Sequence, residues 1–74
     1  MKNRLREFRK KAGISQRQLG RLYNPENPES GYLTITNTEH GRTFPRMETA
    51  IKIAKVLNAP FDEVWAIKEN LNEI

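Results

Sequence analysis

Apolar residues open the chain at helical spacing. Leu5, Phe8 and Ala12 recur as one inward stripe, with Arg4, Arg6, Lys10 and Lys11 facing elsewhere. This predicts an amphipathic helix over residues 3–12. Asn3 is a good N-cap type, and Gly13 suits the residue just past the C-terminus. A second, shorter helix is predicted from Ser15 onward. Ser15 with Gln18 three residues later forms a capping box. Ile14 before the cap and Leu19 inside the helix fit a hydrophobic staple. Leu19, with Leu22 or Tyr23, supplies its buried face. "NPENPES" then ends the helix, because each residue before a proline is pushed out of the α region. It reads as a loop, long for a chain of 74 residues.

The next stretch, "GYLTITNTEHGR", is ambiguous. Tyr, Leu, Thr and Ile favour strands, and the apolar positions partly alternate. A strand running into a Gly-containing turn, or a helix between helices, both fit. Beyond it the helical period returns. Met47, Ala50, Ile51, Ala54 and Leu57 share a face, Pro45 suits the helix entry, and Asn58 can take the left-handed conformation that ends it. A last helix is expected from about residue 60 to 74. Pro60 sits near its start, Asp62 and Glu63 complement the dipole of its first turn, and Phe61, Val64 and Trp65 can face the core. Ile67, Leu71 and Ile74 continue an apolar stripe at spacings of four and three, which Val64 can extend.

Length sets one domain with little surface to bury. The chain has no Cys and one His, His40, which leaves no disulfide, thiolate site or metal set. No apolar run approaches the ~20 residues of a membrane span. The opening "MKNRLREFRKK" lacks the apolar core of a secretory signal, so a cytoplasmic protein is expected, with no membrane association. No nucleophile–base pair and no phosphate-cradling Gly loop is present, so neither enzyme activity nor a cofactor is expected. The charge is uneven. Residues 1–23 hold eight Lys/Arg against Glu7, for +7; residues 24–46 carry −1 and residues 47–74 carry −2, which sum to the net +4. A basic end on a small domain suggests a polyanionic partner, although a solvated basic helix has the same composition.

The order of these pieces resembles the lambda-repressor-like (Cro/phage-repressor, XRE-type) helix-turn-helix family. "GISQRQLG" is similar to the opening of that family's first motif helix, "ITNTEHGR" to the end of its recognition helix, and "FPRMETAIKIAKVLNAPFDEVW" to its closing pair of helices. The resemblance covers essentially the whole chain. It implies an all-α, five-helix domain over residues 1–74, with an extended loop between the two motif helices. Two positions depart from the pattern. Gly20 stands where the family favours Ala, a change that keeps the helices close, and Thr38 stands where an apolar core residue is usual. The resemblance also favours a helix for "YLTITNTE", beginning at Ser30 or Gly31.

The implied function is sequence-specific binding of double-stranded DNA by a small Cro-like transcriptional repressor, with no small-molecule ligand. The second motif helix of such domains enters the major groove and the first crosses the backbone. By position, Tyr32, Leu33, Thr36 and Asn37 would contact bases. Asn37 suits a bidentate pair with adenine, and Thr or Leu suits a thymine methyl. Leu33 is equally suited to core packing, and Tyr32 to covering the long turn. Gln16, Arg17, His40, Arg42 and Thr43 would contact the DNA backbone. Arg9 and Glu39 match positions that form an ion pair in the family. Ile67, Leu71 and Ile74 would join two copies as a homodimer. A second class stays open: a protein-interaction module built on a degenerate helix-turn-helix, of antitoxin or anti-repressor type. Glu26 and Glu29 in the long turn favour it, because acids near the groove repel phosphates; the basic first helix opposes it.

Overall fold

The structure, a computed structural model, describes residues 2–72. It contains six helices and no strand among the described residues: α1 (Leu5–Lys11), α2 (Gln16–Tyr23), α3 (Pro28–Glu39), α4 (Met47–Val56), α5 (Phe61–Val64) and α6 (Ile67–Asn72). The ambiguous stretch is therefore helical. Ile74 lies outside the described residues.

Side-chain hydrogen bonds mark the starts of the first two helices. Asn3 Oδ1 accepts from the Leu5 amide at 3.1 Å, while Asn3 Nδ2 donates to the Thr38 carbonyl at 3.0 Å. Arg4, not Asn3, is the N-cap residue, and Asn3 one position earlier bonds the first helical amide and ties it to the end of α3. Gly13 takes φ +73° after α1, a conformation that glycine adopts without Cβ strain. The Ser15–Gln18 capping box is complete, with bonds of 3.0 and 2.7 Å. On α1, however, Leu5 and Arg9 are buried and Ala12 faces solvent. Arg9 lies four residues from Leu5 and shares its face; a partner for its charge, described below, lets it replace Ala12 there. On α2, Leu19 is buried, Tyr23 is half-buried and Leu22 is exposed.

The loop between the motif helices is shorter than expected, because the recognition helix starts before Ser30. Its N-cap is Asn27, whose side chain accepts from the Ser30 amide at 3.3 Å, and Pro28 occupies the first turn. Proline lacks only an N–H that would have no partner there, and its fixed φ suits the helix. Residues 24–27 alone form the connection, and the residues from Pro28 to the expected start become an added N-terminal turn of α3.

That turn is accommodated by two glycines. A Cβ at Gly20 would lie 2.5 Å from the Tyr32 nitrogen and 2.7 Å from the Gly31 carbonyl carbon; one at Gly31 would lie 2.4 Å from the Gly20 oxygen. The helices touch backbone to backbone, so alanine does not substitute for Gly20 here, contrary to the expectation that any small residue suffices. Tyr23 adds a strut, its hydroxyl donating to the Gly31 carbonyl at 3.2 Å. Burial pushes the Tyr23 phenol above its ordinary value, and a hydrogen bond with Thr34 partly offsets this.

Leu5, Leu19, Ile35, Ala50, Ile53, Ala54, Leu57, Val64 and Trp65 form the core. Trp65 is fully buried, its indole donates to the Ala50 carbonyl at 3.1 Å, and Phe44 packs edge-on to it at 5.2 Å. The C-terminal segment is not one helix. It breaks between α5 and α6, where Ala66 takes φ +48°, and this raises the count from five helices to six. The break turns Val64 into the core and away from any outer stripe. Ile67 packs against the core, and Leu71 is 62% exposed. Arg4 pairs with Glu69, and Asn70 Nδ2 donates to the Lys2 carbonyl at 2.9 Å, so α6 docks on the start of the chain.

Candidate nucleic-acid interface

Helical geometry sorts the residues of α3. Gly31, Ile35 and Thr38 are buried. At about 100° per residue the opposite side carries Glu29, Leu33, Thr36 and Asn37, with Tyr32 on its flank. Leu33 is 52% exposed, so it stands outside the core and Ile35 fills the packing position instead. Thr36, Asn37 and Tyr32 are half-buried. All four sequence-selected base-reading candidates therefore reach one surface.

A polar network runs behind that surface. Arg9 Nε donates to Glu39 Oε2 at 2.7 Å and Arg9 Nη2 to Glu39 Oε1 at 3.2 Å. A third Arg9 bond reaches the Ile14 carbonyl at 2.9 Å, and Gln16 Nε2 donates to Glu39 Oε1 at 3.1 Å. Thr36 Oγ1 donates to Gln16 Oε1 at 3.5 Å. The carboxylate thus joins α1, the start of α2 and the end of α3. Gln16 is turned toward this network, which leaves its second amide hydrogen for an outside acceptor. Thr38 Oγ1 is buried with no hydrogen-bond partner among the described residues.

The other backbone-contact candidates divide into two groups. His40 and Gln16 line an open groove of about 430 Å³ with Arg6, Arg9, Ser15 and Glu39. His40 Nδ1 lies 2.8 Å from the Thr36 carbonyl, an oxygen that only accepts, so Nδ1 carries the proton. Nε2 is left as the ring nitrogen free of that carbonyl. Arg42 and Thr43 are exposed after α3, and Arg42 Nη1 donates to Asn37 Oδ1 at 3.4 Å. Arg17 lies at the opposite end of the surface. Its guanidinium carbon sits 4.1 Å from the Tyr32 ring centroid, and its Nη1 donates to Glu29 Oε2 at 3.3 Å.

Sequence reasoning missed two residues of this surface. Arg6 faces away from the apolar stripe of α1, yet it lines the groove with Gln16 and His40. The dense positive charge of residues 1–23 was the available signal. Glu29 was assigned to a loop, because Pro28 read as a breaker rather than a helix start.

Among the described residues, no group of three His, Cys, Asp or Glu can hold a metal ion, and no helix is long and apolar enough to cross a membrane. Comparison with known proteins agrees with the architecture. A helix-turn-helix family model matches residues 5–64. An uncharacterized HTH-type transcriptional regulator of Archaeoglobus fulgidus is 34% identical over 65 residues, covering 88% of this chain and 86% of its own. A second protein of the same name and organism is 30% identical over 69 residues, covering 93% of this chain and 90% of its own. No solved structure matches the chain significantly. With most of its length matched and its two motif helices in place, the chain belongs to the Cro/phage-repressor-type helix-turn-helix family.

Proposed function

We propose that this DNA-binding transcriptional regulator is a small repressor that reads operator DNA with α3 in the major groove. The observation that carries the reading is the outward stripe of α3. Leu33, Thr36 and Asn37 stand on the side opposite the buried Gly31, Ile35 and Thr38, so the helix can enter a groove without unpacking. Asn37 supplies a donor and an acceptor for adenine, once Arg42 releases its oxygen. Leu33 offers an apolar surface to a thymine methyl. Gln16, Arg17, His40, Arg42 and Thr43 surround the stripe, where phosphates would pass, and Arg6 joins them. Family membership and the regulator names of its relatives support the same reading.

The Arg9–Glu39 pair holds α3 in register against α1. Of the two acids that favour the protein-interaction alternative, Glu29 is paired with Arg17. Selection of bound sequences from a random duplex pool tests the proposal. The wild type should enrich a defined site, and Asn37→Ala should relax one base position at a cost of about 1–3 kcal/mol. Arg42→Ala should instead weaken all sequences alike and lower the salt slope by about one unit. Failure of the wild type to enrich any sequence would overturn the proposal.

A further inference from the structure

We infer that Glu29 is a base-reading residue that selects a cytosine at the edge of the site. The inference rests on the DNA-binding reading above. It starts from the added turn of α3. Glu29 precedes Leu33 by four residues and Asn37 by eight, so the three share one helical face. That face lies opposite the buried side of α3, and the Glu29 side chain is 66% exposed. It stands at the N-terminal end of the helix, the end whose residues contact base edges when such a helix docks.

A carboxylate at this place would ordinarily weaken binding, because phosphates flank the groove on both sides. Arg17 reduces this cost. It donates to Glu29 at 3.3 Å and rests over the Tyr32 ring, so a positive charge stands beside the acid and offsets part of the repulsion. Tyr32 fixes the guanidinium and thereby the carboxylate. The ionised carboxylate only accepts hydrogen bonds. In the major groove, the exposed donors are the N4 amino group of cytosine and the N6 amino group of adenine. Beside adenine N6 lies the N7 lone pair, which repels a carboxylate; cytosine has no acceptor on that side. Arg17, held alongside, keeps further N–H groups for the flanking phosphate. A carboxylate that only accepts thus selects the N4 amino group of a C·G pair.

The test is selection from a random duplex pool with the wild type, Glu29→Ala and Glu29→Gln. The wild type should prefer cytosine at one outer position of each half-site, on the order of tenfold over the other bases. Glu29→Ala should erase that preference and leave the remaining positions unchanged. Glu29→Gln should shift it toward adenine, whose N6 and N7 match an amide. Circular dichroism of both variants should equal the wild type, since Glu29 is exposed. If the wild type enriches a site but Glu29→Ala leaves every base preference intact, the inference fails and the DNA-binding reading stands. If the wild type enriches nothing, both fail.

Discussion

Arg9 and Glu39 are charged side chains that the fold takes out of water together, at 11% and 3% exposure. In water such a pair contributes about 0–1 kcal/mol, but here burial changes the scale. Breaking a buried pair strands one charge, at about 3–5 kcal/mol. Glu39→Ala should therefore lower the unfolding free energy by about 3 kcal/mol in urea denaturation, a large part of the ~5–15 kcal/mol of a small domain. The double variant Arg9→Met/Glu39→Leu should lose clearly less than the sum of its single variants. A loss below about 1 kcal/mol for Glu39→Ala would place the pair with ordinary surface bridges. The identity of the partners was legible through the family resemblance. Their burial was not, because sorting α1 by polarity puts Ala12 inside and Arg9 outside. The three bonds that Arg9 makes to Glu39 and Ile14 reverse that order, and they come from residues distant in sequence.

At the scale of elements, local chemistry was readable where one signal had one meaning. The Ser15–Gln18 box and the left-handed Asn58, at φ 51°, are such cases. Pro28 carries two meanings, a helix breaker and a first-turn residue, and the Asn27 cap decides for the second. Ala66 carries no signal for its positive φ, so the break between α5 and α6 was invisible. The crossing of α2 and α3 was half visible. A small residue was expected at position 20, but the added turn of α3 brings Gly31 against it and removes room even for a methyl. Gly20→Ala should thus destabilise the domain by about 1–3 kcal/mol, although alanine is the better helix former by about 1 kcal/mol. It should also weaken DNA binding further than the stability loss explains, because α3 must shift off α2 to relieve the contact. Thermal unfolding together with DNA titration well below the melting point would check both. A variant as stable as the wild type would show that the helices can separate freely.

Over the whole molecule, Arg6 and Arg17 stand beside the α3 surface, while α6 closes the other end of the chain against Lys2 and Arg4. Leu71 remains uncovered there. The expected apolar stripe is shorter than its spacing suggested: Val64 and Ile67 serve the chain's own core, and Ile74 falls outside the described residues. Burying a leucine of this exposure against a second copy gains about 1.5–3 kcal/mol per side chain, and a two-fold arrangement gains it twice. Two copies joined at α6 would present two α3 helices to half-sites about one helical turn apart. We therefore predict a homodimer through the Leu71 end of α6. Leu71→Asp should convert it to a monomer in sedimentation at micromolar concentration and weaken operator binding. The variant should keep its unfolding midpoint at low protein concentration, because Leu71 stands outside the core cluster. Paired half-sites from the selection experiment would agree with the dimer. A wild type that sediments as a monomer both free and on DNA would refute it.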